Sequence, residues 1–153
     1  MKNFELPEEL NFNRGLIKDP ATYLKESGCK SWLFLVGEEF SKMEGGMSYE
    51  QVQSATPYSA NVISDPPRVL NLDLARQQVE ALDSLPRPTL ISCRSGPRSS
   101  AAAYMYAGLK LGAEPDEVLE SAEKNQAPFT KFEEYKDWVR SSIETLRKEM
   151  NRE

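Results

Sequence analysis

The residues best placed to do chemistry are contiguous: Cys93-Arg94-Ser95-Gly96-Pro97-Arg98-Ser99. Before them runs Thr89-Leu90-Ile91-Ser92, a short apolar stretch with strand character, and after them an alanine-rich segment from Ser99 to Leu111 with helix character. A glycine-containing loop between a strand and a helix N-terminus turns successive N–H groups toward one centre, where the helix dipole adds partial positive charge. Such a cradle binds an oxyanion, and it favours the thiolate over the thiol of a cysteine held in it. Gly96 supplies backbone conformations that a side chain would strain, and Pro97 restricts the turn into the helix. Arg98 offers a planar fork of donors to a tetrahedral anion, Ser99 a hydroxyl to the sulfur or to a leaving group, and Arg94 positive field at the rim beside Ser95. The other account of Cys93 is a buried strand-end cysteine that only packs. The anion-binding geometry expected of the flanking loop argues against it.

Histidine is absent from the 153 residues. This excludes Cys-His and Ser-His-Asp hydrolases and His-ligated metal enzymes, so any activation of Cys93 must come from amides, dipole and arginine. The two cysteines, Cys29 and Cys93, are too few for a four-thiolate zinc site or a disulfide framework. No metal or other cofactor is implied, and the context reads as reducing and cytoplasmic, with an organellar location after removal of a transit peptide left open. Acidic residues outnumber basic ones 24 to 19, against a nucleic-acid partner. Apolar runs such as Trp32 to Val36 are too short to span a membrane, and Met1 to Glu5 lack a signal-peptide core, against a membrane partner.

The elements that must position the loop alternate in type. Pro20 to Ser27 reads as a helix, Lys30 to Val36 as a buried strand, Gly37 to Met47 as a charged loop, and Ser48 to Ser54 as a helix with a Ser48/Gln51 capping box. A strand is expected around Ala60 to Ile63, stopped by Asp65-Pro66-Pro67, and an amphipathic helix over Leu70 to Leu82. Pro115 to Lys124 and Thr130 to Glu149 read as further helices, the last with Phe132, Tyr135, Trp138 and Ile143 on its apolar face. The fold class expected is α/β: a three-layer sandwich with a mainly parallel central sheet and its ligand site beyond the carboxyl ends of the strands, where Cys93 lies. The length fits one domain over 1–153, with a core of about 15–124 and a helical extension over 125–153.

These residues resemble the protein tyrosine phosphatase superfamily, especially its small dual-specificity-phosphatase-like domains. The resemblance rests on Ala60-Asn61-Val62-Ile63-Ser64-Asp65, the amphipathic helix, Thr89 to Cys93, the loop, and Arg98-Ser99 leading into an Ala/Tyr-rich helix. It implies a cysteine nucleophile that attacks a phosphoester, with a general-acid aspartate after the preceding strand, the position that Asp65 matches. Asp65 also reads simply as a turn residue before prolines.

Two features depart from that pattern. Only four residues separate Cys93 from Arg98, one fewer than in the phosphatase signature, and Ser92 stands where a histidine usually precedes the cysteine. The shorter loop is similar to that of rhodanese-type sulfurtransferases, whose smaller cradle suits a persulfide. Rhodaneses, however, continue with a strand where this chain continues with helices from Pro115. The chain looks most similar to phosphatase-like domains associated with metallo-β-lactamase-fold (β-lactamase hydrolase-like) sulfur enzymes. The function expected is therefore phosphoester hydrolysis through a phosphocysteine. Sulfur transfer through a Cys93 persulfide is the alternative and a non-catalytic phosphate-binding module a third, the partner being a phosphorylated or sulfur-donor substrate.

Four other features have simpler accounts. Cys29 reads as a packing residue, with a resolving thiol for Cys93 as its functional option. The stripe Phe129, Phe132, Tyr135, Trp138 reads as core, at least one of Tyr104 and Tyr106 should face the sheet, and Glu38, Glu39 and Glu44 read as a solvated loop.

Overall fold

The computed structural model describes residues 4–64 and 70–151. Its sheet has four strands in the order β1-β4-β2-β3: β1 Leu10–Phe12, β2 Ser31–Phe34, β3 Ser59–Asn61 and β4 Thr89–Ser92. Every pairing is parallel. All residues of β2 and β4 are buried, as central strands covered on both faces must be, which explains why their sequences show no apolar–polar alternation. Parallel neighbours require crossovers, and helices supply them.

Helices α1 (Pro20–Ser27) and α3 (Tyr49–Ala55) pack together, and α3 contacts β2 and β3. A short helix α2 (Glu38–Ser41) lies between them in sequence, inside the stretch expected to be loop, where buried Phe40 anchors it against Phe34. The capping box at Ser48 and Gln51 forms as the sequence implies. Helix α4 (Leu72–Ser84) and helix α5 (Pro97–Leu111) follow, α5 packing on β4 and β1. Helices α6 (Pro115–Lys124) and α7 (Glu133–Met150) cover the outer side of α5. This is the α/β sandwich that the alternation of elements predicts, with the sheet parallel throughout.

Being enclosed on all sides, α5 is buried at every residue from Ser99 to Leu109. Its small residues allow the close approach: a Cβ on Gly108 would stand 2.7 Å from Val118 Cγ2 and 3.0 Å from Ile143 Cδ1. A large side chain there would have to displace two helices.

Several boundaries differ from the sequence reading. Strand β2 ends at Phe34, although Leu35 and Val36 stay buried and Leu35 N still bonds Ser92 O at 2.9 Å. The terminal helix begins only at Glu133, because Phe132 is extended (φ −125°) after a single 3-10 turn over Pro128–Lys131. Phe132 is 41% exposed and so is not part of the core stripe, whereas Phe129, Tyr135 and Trp138 are buried. Both Tyr104 and Tyr106 are buried. Strand β1, which the sequence reading omits, lies ahead of the stretch that carries the family resemblance.

Candidate active site

The site grows from the register of the sheet. Parallel pairing sets Phe12 beside Ile91, so Asn13, next after Phe12, and Cys93, next after Ser92 at the end of β4, leave adjacent strands at the same carboxyl-terminal end. Leu35 and Ser64 leave β2 and β3 at that end too, with Ser64 N and Oγ both donating to Leu35 O at 3.0 and 2.9 Å. The position expected for a ligand in a parallel α/β sheet is where Cys93 lies.

Cys93 is 3% exposed, and its Sγ accepts the backbone N–H groups of Gly96 at 3.2 Å and Ser99 at 3.3 Å. Pro97 and Arg98 form the opening of α5 rather than the end of the loop, so Ser99 is the third helical residue. Its amide is one of the N–H groups that a helix start leaves without an intrahelical partner. Gly96, the residue before the helix, provides no side-chain cap. The sulfur fills that role, placed where the helix dipole favours negative charge.

Gly96 has φ +121°, a conformation that side chains disfavour, and a Cβ there would stand 2.6 Å from Asn13 O and 2.9 Å from Pro128 Cγ. Its carbonyl accepts Ser100 Oγ at 2.6 Å, and the same hydroxyl receives Phe129 N at 3.1 Å. The loop is thus fixed from below by α5 and by the 3-10 turn. Arg94 and Ser95 are exposed at its outer edge, while Arg98 is half-buried with Nη1 3.5 Å from Ser64 Oγ.

The structure brings Cys93, Gly96, Pro97, Arg98 and Ser99 together, with Arg94 and Ser95 on the rim. Asp65 lies outside the described residues; Ser64, its neighbour, is at the site. Ser99 does not spend its proton on sulfur: its Oγ donates to Asn13 Oδ1 at 2.8 Å and stands 3.5 Å from Cys93 Sγ.

Asn13 is the residue that sequence reasoning missed. It is fully buried, its Oδ1 also accepts Cys93 N at 3.1 Å, and its Nδ2 donates to Gly15 O at 2.9 Å and Cys93 O at 3.0 Å. In sequence, Asn13-Arg14-Gly15 reads only as a turn, and nothing local points 80 residues ahead. Gln78, on α4, is buried with no hydrogen-bond partner for Oε1 among the described residues, and it lines a small cavity together with Arg98, Ser64, Tyr135 and Trp138.

Cys29 precedes β2 at the opposite end of the sheet, where Asn11 Nδ2 donates to its Sγ at 3.3 Å. Since Ser31 pairs with Thr89, more than about 15 Å of strand separates it from Cys93, which excludes a direct disulfide between them in this fold. Glu38, Glu39 and Glu44 are exposed, but Glu38 and Glu39 open the short helix α2 rather than lie in a loop. Among the described residues, no cluster of His, Cys, Asp and Glu suited to a metal ion occurs, and no helix is long and apolar enough to cross a membrane.

No family model matches the sequence, and no curated protein does. Solved structures do match. Tk-PTP, in a mutant form, superposes with a TM-score of 0.73 at 10% identity over 95% of this chain and 96% of that one. PTPMT1 gives 0.68 at 10% identity over 99% and 100%. The fold is that of the protein tyrosine phosphatases. A third phosphatase-like neighbour is the core catalytic domain of the PP-IP phosphatase SIW14 from S. cerevisiae, solved with citrate, at 0.64 and 13% identity over 97% and 92%. At such identities the likeness is one of backbone. The phosphatase-like fold nevertheless includes β1, and with it the strand end that carries Asn13.

Proposed function

We propose that the protein is a cysteine-dependent phosphatase whose nucleophile is Cys93. The observation that carries this reading is the convergence of the Gly96 and Ser99 amides on Sγ at the start of α5, on a phosphatase-like fold. The thiolate attacks phosphorus in line as the P–O bond of the ester breaks. Arg98 and the remaining loop amides hold the equatorial oxygens, whose charge grows in the transition state. Asp65 is the candidate to protonate the departing oxygen. Water then attacks the phosphocysteine, the S–P bond breaks, and inorganic phosphate and the Cys93 thiolate are regenerated.

A specific observation favours a second reading. With four residues between Cys93 and Arg98, the cradle is tight around the sulfur itself, which suits a persulfide. In that chemistry Cys93 takes the outer sulfur of a donor such as thiosulfate, releasing sulfite, and passes it to an acceptor thiol. Parallel assays separate the two: p-nitrophenyl phosphate hydrolysis, and thiocyanate formation from thiosulfate and cyanide, each with Cys93→Ser as control. The phosphatase reading predicts Cys93-dependent phosphate release. Thiocyanate formation without phosphate release would replace it with sulfur transfer.

A further inference from the structure

We propose that Asn13 is a positioning residue for Cys93, a role that rests on the reading of Cys93 as the nucleophile. No other side chain in the described structure grips the cysteine at both of its backbone groups: Oδ1 receives Cys93 N–H at 3.1 Å and Nδ2 donates to Cys93 C=O at 3.0 Å, with a longer 3.4 Å contact to Arg94 O. The grip comes from a different strand, so the carboxyl-terminal ends of β1 and β4 are locked in register where the sheet's own hydrogen bonds stop. Without it, the peptide that carries the sulfur has freedom to turn away from the Gly96 and Ser99 amides. The cost of misplacing a reacting group is felt in rate before it is felt in stability.

The same amide also directs a proton. Asn13 Oδ1 takes the Ser99 hydroxyl at 2.8 Å, with Gly96 O a longer acceptor at 3.2 Å, and Sγ lies 3.5 Å from the same hydroxyl oxygen. Rotation about the Ser99 Cβ–Oγ bond therefore moves one hydrogen bond from the amide to the sulfur without displacing a heavy atom. When Cys93 is protonated the amide holds the Ser99 proton, and when the sulfur carries charge it offers the stronger acceptor. Asn13 keeps Ser99 in the rotamer from which this exchange occurs. It touches neither substrate nor the reacting atoms, and acts through Cys93 and Ser99.

The test uses the two cysteines as internal controls for each other. The full chain is treated with limiting iodoacetamide at about pH 6.5, where an ordinary thiol is mostly protonated, and alkylation of each site is followed by mass spectrometry. Wild-type Cys93 should react faster than Cys29. In Asn13→Ala, Cys93 alkylation should slow by about tenfold, the rate equivalent of losing roughly one or two hydrogen bonds, with Cys29 unchanged or faster. A merely structural role would open the molecule and speed both sites, and that result, or no change at Cys93, overturns the inference. Should Asn13→Ala fail to fold, Asn13→Asp decides by the same readout. It retains the acceptor but sets a second oxygen against Cys93 C=O and Gly15 C=O, and Cys93 should again slow. A wild-type Cys93 no faster than Cys29 would sink the nucleophile reading and this inference with it. A fast wild-type Cys93 beside unmoved variants sinks the inference alone.

Discussion

Strand β4 carries a polar cluster at each end, and the two are built on different plans. At the amino end, Thr89 Oγ1 accepts from Ser31 Oγ at 2.8 Å and from Arg87 Nη1 at 3.1 Å. Arg87 also donates to Leu82 O and Leu85 O and, through Nη2, to Tyr106 OH, which donates to Asp83 at 2.7 Å. Donors there meet oxygen acceptors from the protein itself, and the network is closed. At the carboxyl end, two amides converge on one sulfur, flanked by an exposed Arg94 and a half-buried Arg98. A closed network contributes stability. In the proposed function, a cradle whose donors face a single polarizable atom holds a charge that arrives during the reaction. The comparison predicts that substitutions at the carboxyl end strike turnover, and those at the amino end strike stability.

The largest expected effect is that of Cys93→Ser, which should lower phosphatase kcat by about a thousandfold or more because an unactivated hydroxyl replaces the thiolate. Arg98→Lys should lower kcat/KM for p-nitrophenyl phosphate by roughly a hundredfold, since a point charge replaces the planar fork. Gly96→Ala forces a side chain into φ +121° and into Asn13 O, so activity should fall by about a hundredfold and denaturant unfolding should show a loss of about 2 kcal/mol. Alone among these three, it damages both properties, because Gly96 joins the cradle to the frame beneath it.

At the amino end the expected effects are smaller and leave turnover unchanged. Burial, and then the hydrogen bond to Asp83, push the Tyr106 hydroxyl up to about 12 from an ordinary value near 10. Between those values the folded protein retains a proton that the unfolded chain has lost. This contribution to stability is therefore complete below about pH 10 and disappears as pH rises toward about 12. Tyr106→Phe should cost about 1 kcal/mol at neutral pH and flatten that alkaline decline, with p-nitrophenyl phosphate turnover unaltered. Cys29→Ala should be the mildest change, within about 1 kcal/mol in stability and without effect on turnover.

What was legible in the sequence was contiguous. Thr89 to Leu111 carries strand, loop and helix within one window, so the cradle and the cysteine it holds could be read from spacing alone. The helix start could be placed only to within two residues, because Pro97 and Arg98 suit a loop as well as a first turn. Strand β1 and Asn13 were not legible. A three-residue strand leaves almost no periodic signal, and an asparagine before arginine and glycine looks like a turn until the parallel register brings it beside Cys93. Phe132 misled for a related reason. Its spacing fits the apolar face of the last helix, but the 3-10 turn before that helix leaves it outside the helical repeat.

The central claim, that Cys93 carries the phosphoryl group in turnover, is tested most directly by trapping it. Wild-type protein mixed with p-nitrophenyl phosphate and quenched in acid within a turnover should show the mass of one phosphoryl group on the peptide containing Cys93, and Cys93→Ser should show none. Phosphate release in both proteins without any such adduct, or a Cys93 peptide that gains only sulfur from thiosulfate, would contradict it.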